Sequence, residues 1–110
     1  MSAVKRVASV IRLDEAGVEE YERLHANAWP GVLERITECN IRNYSIYRYG
    51  LLLFSYFEYV GSDMDEDMAK MAADQLTQDW WAVCKPLQRS VPEIVGDEWW
   101  HEIPEIFHHD

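Results

Sequence analysis

The chain's 110 residues suffice for one domain with a single core between two layers, and 48% hydrophobic content with 13% aromatics excludes a disordered tail. Ten basic residues against twenty acidic ones leave a formal net charge of −10, which repels phosphate backbones and anionic bilayers, so neither nucleic acid nor a membrane is an expected partner. The N-terminal run MSAVKRVASVIRL is too short and mixed for a signal or membrane-spanning segment, and Cys39 and Cys84 lack metal or redox spacing, so a cytoplasmic protein with reduced thiols is expected.

Residues 4–13 alternate as a first strand, with Val7, Ser9 and Ile11 on one face and Ala8, Val10 and Arg12 on the other. Asp14 is placed to cap a following helix, in which Val18, Tyr21, Leu24 and Ala28 recur at helical spacing. Pro30 disfavours a helical Trp29 and removes a backbone donor, so the helix is expected to kink there or to restart with Pro30 as its first residue. A second helical piece covers 31–38. Period two takes over at 41–49, with Ile41, Asn43, Ser45 and Tyr47 on one side and Arg42, Tyr44, Ile46 and Arg48 on the other. Gly50 turns the chain into a near-continuous apolar and aromatic strand, 51–60, and the two form a hairpin.

Gly61-Ser62-Asp63 ends that strand and caps a helix over 64–76, whose acidic outer side reads as a solvated face. Thr77 is the expected cap of a further helix, 78–87, carrying Trp80, Trp81 and Cys84. Pro86 and Pro92 bracket a loop, and 99–107 reads as the last strand, with Pro104 favouring an edge position.

The order β-α-β-β-α-β predicts an α+β fold of the ferredoxin-like kind, a four-stranded antiparallel sheet with helices on one face, as a single domain. Tyr44, Ile46, Leu52, Phe54, Tyr56, Phe57 and Tyr59 make the hairpin apolar on both sides. A second copy packed sheet to sheet would remove the uncovered side from water, so a homodimer is expected.

One stretch carries a chemical signature. In the segment YERLHANAWP, Tyr21, His25 and Trp29 recur every fourth residue and share one helix face within an arc of roughly 80°. The set combines a stacking platform, a hydroxyl and the side chain that titrates near neutral pH. A histidine on such a face also serves as a hydrogen-bonded core residue, and the residues alone leave both readings open. His101, His108, His109 and Asp110 are not expected to hold a metal, since adjacent histidines on a strand point to opposite faces.

Tyr21-x-x-x-His25-x-x-x-Trp29-Pro30, then Asn43-Tyr44-x-Ile46-Tyr47, then Trp80-Trp81, then Glu105-Ile106-Phe107 together resemble the L-rhamnose mutarotase family over nearly the whole chain. The resemblance implies a small dimeric α/β-barrel protein that interconverts the α and β anomers of L-rhamnose without cofactor or metal. It further implies His25 as proton donor, Tyr21 as its sugar-binding neighbour, and Tyr44 and the pair Trp80-Trp81 as substrate contacts, with Trp29 completing the set. Two features depart from the pattern: Gly31 stands where the family often has Glu, and Trp99-Trp100-His101 is unusually aromatic. Anomer exchange needs one proton delivered to the ring oxygen and another taken from the anomeric hydroxyl, which an imidazole can do at neutral pH. Trp80 and Trp81 lie about 100° apart on a helix, so one is expected to face a pocket squarely while the other packs. Periodicity puts Tyr47 and Tyr49 opposite Tyr44 and cannot choose between the faces. The rival expectation is a dimeric ferredoxin-like module that binds another small hydrophobic ligand without mutarotase activity.

Overall fold

The computed structural model describes residues 4–110; the first three residues of the N-terminal run lie outside it. An antiparallel sheet runs in the order β2-β3-β1-β4, where β1 is Lys5–Leu13, β2 is Ile41–Tyr49, β3 is Leu52–Tyr59 and β4 is Gln88–Arg89. A fifth short strand, β5 (His101–Ile103), also pairs with β1. Four helices, α1 (Val18–Ala26), α2 (Pro30–Glu38), α3 (Met64–Ala73) and α4 (Gln75–Cys84), complete an α+β chain consistent with the ferredoxin-like expectation.

The helices cover the sheet face that carries Val7, Ile11 and Leu13. Tyr21 of α1, Val32 of α2 and Trp80 and Cys84 of α4 pack with Ile11, Leu13 and Leu53 in the main core, and Met71 of α3 joins Cys39 and Ile41 in a second cluster. Burial of such side chains contributes about 1.5–3 kcal/mol each relative to exposure. On the opposite face Val10, Phe54, Tyr47 and Tyr49 have no helix above them among the described residues, and the last two are 65% and 79% exposed.

Several boundaries differ from the expected ones for local reasons. Asp14 makes no side-chain cap and precedes a single 3-10 turn, Glu15–Gly17, so α1 begins at Val18. Trp29 is extended (φ −66°, ψ 127°) and Pro30 starts α2, which is the restart that proline chemistry favours. Asp74, not Thr77, caps α4: its carboxylate accepts from the Thr77 backbone N–H at 3.0 Å and from the Thr77 hydroxyl at 2.8 Å. Asp74 itself is extended, so α3 stops at Ala73 instead of reaching residue 76.

The expected last strand, 99–107, shrinks to His101–Ile103, and a two-residue strand at Gln88–Arg89 appears that periodicity did not signal. Both lie along the same edge of β1, since Arg12 pairs with Arg89 and Val10 with His101. One edge strand is thus interrupted opposite Ile11, where residues 90–100 leave the sheet and return. A further correction concerns β2. A bulge between Arg42 and Ser45, with Asn43 at φ 51°, places two residues opposite Phe57 and shifts the alternation by one. Ile41 therefore stands on the same side as Tyr44 and Ile46, facing the helices, and Phe57 and Tyr59 join them there. Leu52, Phe54 and Tyr56 point the other way.

Candidate active site

Between the helices and the sheet the interior opens into two adjoining lobes of about 500 and 330 Å³, both bordered by His25, Val32, Ile36, Ile41, Tyr44, Ile46 and Trp80. This is the size range of small-molecule sites, and the lining is apolar with a few polar groups. His25 sits one residue before the end of α1 and is half-buried. Its ring stacks on Tyr21 (centroids 4.1 Å apart, planes at 23°), and Trp80 meets it edge-on at 5.1 Å. Trp29 in turn meets Trp80 edge-on at 5.1 Å. Four of the six residues expected at the site therefore form one continuous aromatic cluster, joined by α1, the α1–α2 link and α4.

The hydrogen bonding of His25 defines its chemistry. Nδ1 lies 2.8 Å from the Tyr21 carbonyl oxygen. A carbonyl can only accept, so Nδ1 carries the proton and donates, and in the neutral ring Nε2 holds the free lone pair. No protein partner meets Nε2 among the described residues, and no fully buried side-chain nitrogen or oxygen there lacks one, so Nε2 is not sealed off, and His25 itself borders both lobes of the cavity. Burial lowers the His25 pKa below its usual value, with the Tyr21 carbonyl pulling weakly the other way. The ring is thus neutral at pH 7 and able to exchange a proton through Nε2.

Two phenols line the inner lobe together with this imidazole. The Tyr21 hydroxyl, in a residue only 3% exposed, accepts from the Gln88 side-chain amide at 3.1 Å, and burial raises its pKa so that it stays protonated. Tyr44 projects from the bulge, its ring edge-on to Phe57 at 5.8 Å. The residue as a whole is 44% exposed, yet desolvation pushes its pKa up to about 12. Tyr44 lines both lobes of the cavity, where the neighbouring walls shield its phenol from water more than the exposure of the whole residue implies. Burial likewise pushes the Cys84 thiol up to about 11, so it is an uncharged wall and not a nucleophile.

Trp80 and Trp81 both border the inner lobe but divide their roles. Trp80 is 8% exposed and touches His25, whereas Trp81 reaches toward Met71 and has the Lys85 ammonium 5.4 Å from its ring. Trp29 stands behind Trp80 and borders neither lobe. Among residues to which the sequence assigned no place in the site, Gln88, Trp99 and Trp100 also border the inner lobe. The Trp99-Trp100 dipeptide was a visible signal without an address, and Gln88 carried none.

A family model described as "L-rhamnose mutarotase" matches residues 6–109. The chain belongs to the L-rhamnose mutarotase family. Among curated relatives, the L-rhamnose mutarotase of Listeria monocytogenes serovar 1/2a is 33% identical over 94 residues, covering 81% of this chain and 85% of that one. The corresponding Bacillus subtilis protein is 30% identical over 90 residues, covering 79% and 83%. Among solved structures, the L-rhamnose mutarotase of Formosa agariphila superimposes with a TM-score of 0.74 at 18% identity, over 96% of this chain and 99% of that one. A tetracenomycin F2 cyclase from Streptomyces glaucescens superimposes with a TM-score of 0.68 at 16% identity over the same shares. At such identities the two structures share the fold; membership in the mutarotase family rests on the sequence.

Proposed function

We propose that this member of the family interconverts the α and β anomers of L-rhamnose, or of a deoxy sugar close to it, with His25 as proton donor and Tyr21, Tyr44, Trp80 and Trp81 as sugar contacts. The observation that carries the proposal is the unpartnered Nε2 of His25 in a cavity walled by two protonated phenols and an indole. Opening the ring breaks the bond between the anomeric carbon and the ring oxygen. The ring oxygen takes up a proton, the anomeric hydroxyl gives one up, and reclosure on the other carbonyl face reverses both transfers. His25 starts neutral, so its first act is to accept the anomeric proton at Nε2, and the imidazolium then returns it to the ring oxygen. Positioned proton transfer of this kind accelerates a reaction by roughly 10²- to 10⁴-fold, which is ample for an exchange that already proceeds in water. The CH-rich face and methyl group of a deoxy sugar suit an indole, while phenol O–H groups bond its hydroxyls. Trp29 acts by backing Trp80.

We further read the protein as a cytoplasmic homodimer. The helix-free sheet face bearing Val10, Tyr47, Phe54 and Tyr56 supports pairing with a second copy, and the free, buried Cys39 and Cys84 suit a reducing compartment. Phe54→Glu should yield a monomer by light scattering; a dimer that survives it would move the interface elsewhere. The central test is saturation-transfer proton NMR of L-rhamnose with the intact protein and His25→Ala. Exchange well above the buffer rate that collapses in a folded variant is expected. Exchange at the buffer rate with several deoxy sugars would refute the enzyme.

A further inference from the structure

The interrupted edge strand places two residues behind Tyr21 that the catalytic chemistry above does not use. Where residues 90–100 leave the sheet, the Arg12 guanidinium holds the Ser90 carbonyl at 2.7 and 3.1 Å, and Val91 is buried. Where they return, the Glu98 carboxylate accepts from the Val95 N–H at 2.7 Å, the His101 ring at 3.0 Å and the Glu102 N–H at 3.3 Å. The excursion is therefore fixed at both ends. What it delivers is the Trp99 indole, whose Nε1–H donates to the Gln88 side-chain oxygen at 2.6 Å.

That bond determines the orientation of the Gln88 amide. An indole N–H is only a donor, so it must meet the amide oxygen, and the amide NH₂ is left to face Tyr21. Gln88 is 4% exposed and donates at 3.1 Å to the Tyr21 hydroxyl oxygen. A phenol whose oxygen already accepts keeps its own proton for another acceptor, and among the described residues none is offered to Tyr21. We propose that Trp99 and Gln88 are positioning residues that hold Tyr21 as a hydrogen-bond donor toward a sugar oxygen in the cavity. With the amide reversed, its oxygen would take the Tyr21 proton and the donor would be lost. This assignment rests on the mutarotase reading above, in which Tyr21 contacts the sugar.

Anomer exchange is measured for wild type, Tyr21→Phe, Gln88→Met, Trp99→Phe and the double variants with Tyr21→Phe, beside thermal melts. A single hydrogen bond to substrate is worth about tenfold, so Tyr21→Phe should lower kcat/KM by about that factor. Gln88→Met should approach the same loss, and Trp99→Phe, which keeps a ring and removes only the indole N–H, should lose roughly two- to fivefold. In the Tyr21→Phe background neither should lower kcat/KM further, because the hydroxyl they position is gone. A role in folding alone would move the melts and multiply with Tyr21→Phe. Losses that multiply, or Gln88→Met and Trp99→Phe at the wild-type rate, overturn the assignment. Wild-type exchange no faster than buffer overturns the mutarotase reading itself, and with it any donor role for Tyr21 toward a sugar.

Discussion

Acidification is the perturbation that tests His25 most directly, because its lowered pKa links chemistry to stability. Burial disfavours the imidazolium in the folded chain, whereas the unfolded chain titrates near the ordinary value of about 6.5. Below that value the unfolded state binds a proton that the folded state resists, so the stabilising contribution present at neutral pH is lost as pH falls from about 6.5 through the folded pKa. One proton limits the slope to at most about 1.4 kcal/mol per pH unit. For a domain of this length, that is at most about 6 °C of melting temperature per pH unit. The comparison is wild type against His25→Gln, by calorimetric melts at pH 5 to 7.5 and by anomer exchange over the same range. The variant should lose the slope contributed by this proton. Wild-type exchange should persist to a lower pH than a free histidine would allow, then fall as the ring charges and can no longer accept the anomeric proton. A wild-type acid limb centred at or above about 6.5, or equal melting slopes in both proteins, would refute the reasoning.

Two further outcomes follow from packing. Asp67 is held below the usual carboxylate range by the Tyr59 hydroxyl and then the Asn40 amide, which both bond its Oδ2, the latter at 3.0 Å. Asp67→Ala should lower the urea midpoint near pH 6, and the gap to wild type should close as pH drops below about 4, since the depressed carboxyl stabilises only above its unfolded value; a gap independent of pH would contradict this. At Gly31 an added Cβ would overlap the Leu76 Cδ2 of α4. That atom ends a flexible side chain that is 39% exposed and can turn aside, so Gly31→Glu should gain up to about 1 kcal/mol from helix propensity and an acidic residue in the first turn of α2. A lower midpoint in urea unfolding that Leu76→Ala relieves would show instead that Leu76 cannot move.

The parts of this fold legible in the sequence are those that local chemistry dictates. Pro30 announced the break after His25, Gly50 the hairpin, and Asp63 the start of α3, whose Glu66 N–H it caps at 3.1 Å. The Tyr21, His25 and Trp29 spacing placed all three residues in one aromatic cluster because α1 and the extended Trp29 keep them adjacent. The edge strand was not legible: Gln88 and Arg89 pair with β1 through tertiary contact, and two residues show no period.

Tyr44 shows why the remainder of the site lay beyond periodicity. Alternation set it with Ile46 and Arg48 but against Ile41, so no choice of face could collect every apolar residue of β2 into one core. The bulge at Asn43 resolves that conflict by adding a residue, which costs one ladder pairing and a left-handed asparagine. Asn43 tolerates φ 51°, and its side chain donates to Glu58 at 2.9 Å, across the strand pair. Ile41 then closes the lower cluster while Tyr44 and Ile46 border the cavity, and Tyr47 and Tyr49 turn outward. A strand whose apolar residues fall on both parities therefore carries a bulge as one of its readings, and here that single residue brings Tyr44 to the same cavity as His25.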